Sequence, residues 1–268
     1  MGGLGPPRPG GLTIRGLVTA LRFLTIVPVP GRALEGPEAL GRAAGWFPLV
    51  GLALGGVLWL AHRLFSLAFP SLLATLLVLV AWKLLTGGIH LDGLADTLDG
   101  LTGRDPQERL AIMRDSRIGV FGALGLIVVL LIGFVALAEL PGTVRERALL
   151  LAPVVGRDAP LFLACAFQPA TPGRGSGSAF MKAVTLPAVS IGALVVAVAA
   201  ALILWPWGLL LAAVGLAVAG TTAGFFSRRL GGLTGDVLGA AVELAELAVL
   251  VACVTCQHAS ILGIDLFR

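Results

Sequence analysis

The stretch Ile118–Leu140, "IGVFGALGLIVVLLIGFVALAEL", runs for 23 residues with no charged side chain before Glu139. A bilayer core of about 30 Å takes about 20 apolar residues of helix, so this run predicts a membrane span.

The rest of the chain agrees. Of 268 residues, 57% are hydrophobic and 13% charged, and the mean hydropathy is +0.97. Soluble domains carry about twice that share of charge. Further spans are expected near Trp46–Phe65, Leu67–Leu85, Ala148–Phe167, Val184–Trp205, Trp207–Phe226 and Val237–Gln257. The expected fold is all-α, a polytopic transmembrane helix bundle of about seven spans with short cytoplasmic loops. "LVTALRFLTIVPVP", Leu17–Pro30, is short and bounded by proline, which fits an interfacial or re-entrant segment. The opening "MGGLGPPRPGG" lacks the pattern of a signal peptide, so residues 1–12 read as a disordered tail before a single membrane domain, 13–268.

The distribution of Lys and Arg sets the expected orientation. With the N-terminus inside, thirteen of the 19 lie in inside segments and four on the outside, counting Arg63 at the outer end of the first span, with Lys83 and Arg157 deeper within spans. The positive-inside rule then favours N-in, C-out. The basic residues are scattered and lack interleaved aromatics, which excludes a nucleic-acid surface. Cys165, Cys253 and Cys256 lie in apolar runs, and Gln257 separates "CVTC" from His258, so no haem-attachment motif is formed.

Against this apolar background, "GGIHLDGLADTLDGL", Gly87–Leu101, holds three aspartates. On a helix Asp96 lies about 40° and Asp99 about −20° from Asp92 around the axis, so all three share one face. Two carboxylates about 5 Å apart repel by roughly 3 kcal/mol at an effective dielectric near 20, which calls for a cation between them. Hard oxygens without thiol or second histidine suit Mg²⁺ or Mn²⁺ holding a substrate phosphate. Asp92, Asp96 and Asp99 are therefore the expected metal ligands. His90 falls on the opposite side of the helix, either as a functional group or as a local hydrogen-bonding residue. Gly87 and Gly88 would let backbone N–H groups approach a phosphate at a helix start.

Two further stretches carry charge. In "MRDSRIGVFGALGL", Met113–Leu126, Asp115, Ser116 and Arg117 stand at the mouth of a span, and Arg117 is a candidate phosphate ligand. In "GGLTGDVLGAAVELAEL", Gly231–Leu247, Asp236, Glu243 and Glu246 fall within about 80° on a helix. Each ionised group would cost about 2.5–3.5 kcal/mol at the bilayer centre, so ligand binding and ion pairing, with Arg157 of "VVGRDAPLF" as partner, are the two readings. "PATPGRGSGSAF", Pro169–Phe180, is either a linker or a phosphate-facing glycine loop.

Taken in order, "RFLTIVPVP", "WFPLVGLALGG", "GGIHLDGLADTLDGL", "RDSRIGVFGALGL" and "GLTGDVLGAAVELAEL" resemble the cobalamin synthase family, the adenosylcobinamide-GDP ribazoletransferases. The resemblance covers nearly the whole chain, with "GRGSGSAF" and the Arg157 helix matched more loosely. It implies a multi-pass enzyme of the bacterial inner membrane, active at the cytoplasmic face, that needs Mg²⁺. The implied reaction joins adenosylcobinamide-GDP to α-ribazole, or to its 5′-phosphate, with release of GMP. Asp92, Asp96 and Asp99 would hold the metal on the diphosphate, Arg117 would steady the departing phosphate, and Asp99, Asp236 or His90 would take the hydroxyl proton. Asp115, Ser116, Arg157, Glu243, Glu246, Gly87 and Gly88 complete the expected substrate contacts.

Two rivals remain at this level. A CDP-alcohol phosphotransferase also clusters aspartates on membrane helices, but its DGxxAR and GxxxDxxxD arrangement is not completed by "DGLADT" or "DGLTGR". A cation-coupled transporter would place its acids at the midplane and not on one face.

Overall fold

The computed structural model describes residues 12–261, and the expected tail, residues 1–12, lies outside them except for Leu12. Apart from one isolated bridge, the described regular structure is helical. In chain order the helices are α1 (Ile14–Leu24), α2 (Ala39–Ala43), α3 (Phe47–Ala68), α4 (Ser71–Leu85), α5 (Ile89–Asp99), α6 (Pro106–Ile112), α7 (Val120–Glu139), α8 (Gly142–Ala166), α9 (Gly175–Ala183), α10 (Leu186–Ile203), α11 (Gly208–Leu230) and α12 (Gly235–Ile261).

Six helical segments are long and apolar enough to cross a bilayer, and the bent pair α4–α5 is a seventh candidate, so the multi-pass bundle is as expected. α8 and α12 are mostly buried within the bundle, whereas α7 and α10 leave most of their surface uncovered. The exposed side chains of α7 include Phe121, Leu124, Ile127, Val128 and Leu131, an apolar stripe suited to lipid. Small residues bring the central helices together. Gly51 and Gly55 of α3 lie against the backbone of Pro153 and Leu150 in α8, leaving no room for a side chain.

The second expected span, Leu67–Leu85, is divided differently. α3 continues to Ala68, and α4 holds only 15 residues after Pro70. At 1.5 Å per residue that is about 22 Å, less than a bilayer core. α4 ends where Gly87 and Gly88 take φ of +63° and +68°, a left-handed conformation that glycine adopts without a Cβ penalty. Their amides donate to the carbonyls of Leu84 (2.9 Å) and Lys83 (3.1 Å), closing α4. The chain then turns through 85° into α5.

The Leu17–Pro30 segment forms α1 and an extended tail, too short to span. Ile14, Ile26 and Val27 are exposed beside Arg15 and Arg22, as an interfacial helix requires. Arg145 fastens the opposite end of the bundle. Its guanidinium donates to the carbonyls of Leu137, Ala138 and Leu140 at 2.7, 3.0 and 2.9 Å, satisfying acceptors left over where α7 ends.

Candidate active site

α5 packs along α12, and Gly93 makes this close: a Cβ there would meet the backbone of Asp236. The contact sets Asp92 and Asp96 opposite the first turn of α12, so that the charges of Asp92, Asp236 and Asp99 all act on Asp96. Along α5 the aspartates descend in depth: Asp92 is exposed, Asp96 half-buried and Asp99 buried.

Asp99 has a different task from its neighbours. Its carboxylate oxygens accept from the amides of Gly119 (2.7 Å) and Gly122 (2.8 Å). These are amides of the first turn of α7, which lack carbonyl partners within the helix and bear its positive end. The structure thus brings Asp92, Asp96 and Asp236 together and holds Asp99 on α7. Among the described residues, no three His, Cys, Asp or Glu side chains are grouped closely enough to enclose a metal ion. Asp92 and Asp96, to which no cationic side chain is bonded among the described residues, still fit Mg²⁺ in its commoner mode: one or two carboxylates, with waters and substrate phosphate completing the shell.

Two cavities meet here. The first, of about 190 Å³, is walled by Phe23, Phe47, Phe180, Leu238 and Val242, with His90, Asp92 and Arg157 among its polar groups. The second, of about 320 Å³, is lined by Arg114, Thr171, Arg174, Ser178 and Thr234. Ser176, Gly177, Gly235 and Asp236 border both.

A loop pairing builds this shared wall. Leu233 donates to the carbonyl of Gln168 (2.9 Å), and Ala170 donates to the carbonyl of Leu233 (2.8 Å), tying the segment after α8 to the segment before α12. The first turns of α9 and α12 consequently abut, with Gly177 lying on the backbone of Gly235. Thr234 caps α12 by accepting from the amide of Val237 at 3.2 Å. Two positive helix ends therefore converge on the second cavity, beside Arg174, which has no side-chain partner among the described residues, and Arg114, whose charge acts on Asp236. The "GRGSGSAF" loop belongs to this wall and is more than a linker.

A family model described as cobalamin-5-phosphate synthase matches residues 16–254. The chain belongs to that family. It is an enzyme of cobalamin biosynthesis, a multi-pass membrane transferase. It is 43% identical to the adenosylcobinamide-GDP ribazoletransferase of Pseudomonas paraeruginosa, over 89% of this chain and 97% of that one. It is 36% identical to the enzyme of the same name from Acetivibrio thermocellus, over 89% and 96% of the two chains. The Roseiflexus relative so named is 42% identical over 86% of each. No solved structure matches.

The other sequence-predicted residues of this family member fall in three places. His90 is buried between α5 and α12 and lines the first cavity. Asp115, Ser116 and Arg117 form a surface turn that borders neither of the two cavities. There Arg117 donates to Asp115 at 2.6 Å, and this guanidinium holds the Asp115 carboxyl down at about 2. Gly87 and Gly88 shape the α4–α5 turn, with their amides already bonded.

Glu243 and Glu246 lie seven and ten residues beyond Asp236, about 10–15 Å deeper along α12. Lys83 of α4 donates to Glu243 at 2.5 Å and lies 3.4 Å from Glu246, which also pairs with Arg157 of α8. Two cations and two anions from three helices thus neutralise one another inside the bundle, the ion-pairing reading of this stretch. Arg157 touches both the quartet and the first cavity.

Sequence reasoning missed Arg114, Arg174 and the three phenylalanines. Arg114 stood in the quoted "MRDSRIG" stretch and Arg174 in the glycine loop. Arg174 has no acid within ten residues along the chain, a signal that sets it apart, whereas Arg114 adjoins Asp115 and nothing in the local sequence separates it from Arg117.

Proposed function

We propose that the chain transfers the cobinamide phosphate of adenosylcobinamide-GDP to α-ribazole, or to α-ribazole 5′-phosphate, releasing GMP at the cytoplasmic face of the inner membrane. The observation that carries this reading is the meeting of an apolar, aromatic cavity and a basic cavity across one carboxylate-bearing seam. Such a site accommodates a nucleoside acceptor and a diphosphate donor with their reacting atoms side by side. The names of the relatives point the same way.

Phosphoryl-type transfer chiefly needs alignment and neutralisation of charge. Arg114 and Arg174, with the first turns of α9 and α12, would hold the diphosphate oxygens. Mg²⁺, held by Asp92 and Asp96, would screen the diphosphate and assist departure of the nucleotide. The acceptor hydroxyl oxygen forms its bond to the phosphorus bearing cobinamide, the bond from that phosphorus to the GMP oxygen breaks, and the hydroxyl proton passes to a carboxylate. Asp236 is placed for that role because it borders both cavities. Asp99 supports the reaction indirectly, by fixing α7 to α5.

Purified protein in detergent, given adenosylcobinamide-GDP, α-ribazole and Mg²⁺, is expected to release GMP only when both substrates are present. GMP release without α-ribazole, or none at all, would overturn the reading.

A further inference from the structure

The first cavity has a feature that alignment of phosphates does not require. Phe23, Phe47 and Phe180, from α1, α3 and α9, form a continuous aromatic wall. The Phe23 and Phe47 rings are 6.0 Å apart at 24°, and the Phe47 and Phe180 rings 5.7 Å apart at 17°. The rings stack on one another and border the cavity, giving it an aromatic lining against which a planar heterocycle packs.

Two polar side chains that line this space each keep a buried atom without a hydrogen-bond partner. Arg157 is 1% exposed and His90 6% exposed, and Arg157 Nε and His90 Nδ1 have no hydrogen-bond partner in the structure. Leaving a buried polar group unpaired costs about 1–3 kcal/mol, so an occupant with one or two polar atoms would remove that cost. A lipid chain would leave both atoms unsatisfied. A guanine base carries polar atoms around most of its edge, and the Phe and Leu walls could pair few of them. A corrin ring is far wider than a cavity of about 190 Å³.

We infer that this aromatic chamber is the subsite for the planar azole base of the ribazole nucleoside, stacked along the Phe23–Phe47–Phe180 wall with a ring nitrogen or sugar hydroxyl on Arg157 or His90. This assignment rests on the proposed reaction for the identity of the nucleoside, but base binding does not need turnover. With the base there, the sugar extends toward Asp92 and Asp236, and its 5′ end meets the basic cavity. Phe180 is then a specificity-determining residue for the acceptor. It lies on the same short helix as Ser176 and Gly177, so acceptor and donor subsites share one structural element.

The test is equilibrium dialysis of labelled α-ribazole and, separately, labelled GDP against detergent-purified wild-type, Phe180→Leu and Phe23→Leu proteins, followed by steady-state kinetics. Leucine keeps an apolar side chain and removes the ring, and Phe23 is only half-buried, so Phe23→Leu is the variant that disturbs the packing less. Losing ring stacking is expected to weaken α-ribazole binding by about three- to tenfold, with GDP binding unchanged. KM for α-ribazole should rise in parallel, with KM for the GDP substrate held. Weakened GDP binding with α-ribazole unaffected would assign the chamber to guanine and overturn the inference. Unchanged binding of both ligands in both variants would overturn it equally. If α-ribazole binds and the variants weaken it while no GMP is released by wild type, the subsite stands and the proposed reaction fails.

Discussion

Asp99 grips Gly122 across two helices: the carboxylate at the end of α5 accepts from an amide in the first turn of α7 at 2.8 Å, with Gly119 as its second donor at 2.7 Å. The bond converts an acid on the aspartate face into a brace between helices.

Asp99→Ala should therefore lower stability in detergent by about 2–4 kcal/mol, since hydrogen bonds to a charged group contribute about 1.5–3 kcal/mol each and are not fully additive. Asp99→Asn, which retains one carbonyl acceptor, should lose less. Asp96→Asn should melt like wild type yet lose turnover. Thermal scanning beside a GMP-release assay separates the two classes; wild-type turnover in Asp96→Asn would remove the carboxylate seam from the reaction.

Removal of arginines distinguishes the cavity from the surface turn. Arg114→Ala and Arg174→Ala should each raise KM for the GDP-bearing substrate about tenfold to a hundredfold, the range for a lost charge-assisted hydrogen bond. Arg117→Ala should stay within about twofold, as expected for an exposed ion pair. The acidity of Asp115 carries a pH corollary. Because its folded value, about 2, lies below the ordinary carboxylate range, any contribution of the pair is present above that range and fades only as pH falls toward 2. Activity profiles of wild type and Arg117→Ala between about pH 5 and 9 should superimpose.

The α3–α8 seam gives a paired steric test. Gly51→Ala would drive a methyl group into the backbone of Pro153, whereas Gly56, on the same helix, has nothing within 4 Å. Gly51→Ala should destabilise by about 1–3 kcal/mol, the usual cost of overpacking. Gly56→Ala should be neutral or stabilising by up to about 1 kcal/mol, because alanine is the better helix former. Chemical denaturation in mixed micelles would rank them, and equal effects would contradict the packing.

Lys83→Met should destabilise strongly, by about 3–5 kcal/mol, since it leaves two buried glutamates with Arg157 as the remaining cation. Adding Glu243→Leu should recover part of the loss. A double-mutant cycle with no coupling between positions 83 and 243 would refute the pairing.

The helices were legible because apolar run length is a local property, read directly along Ile118–Leu140. The exception, Leu67–Leu85, came from weighing hydrophobicity above punctuation: Pro70 and the Gly87–Gly88 pair restrict α4 to 15 residues. The aspartate face was likewise legible from spacing, but angular agreement says nothing about which partner reaches each carboxylate. Asp99 finds α7 because the chain returns there some 20 residues later, a tertiary event. The same limit hid Arg174. Its place in the site depends on Gln168 and Ala170 pairing with Leu233, more than 60 residues away, which no local pattern encodes.

The buried quartet also constrains how the polypeptide is made. Lys83 enters the bilayer with α4 and Arg157 with α8, but both glutamates that answer them arrive on α12, the final described helix. Until then each cation faces a penalty of about 2.5–3.5 kcal/mol in lipid. The pairing that neutralises them is therefore complete only once α12 is in the bundle.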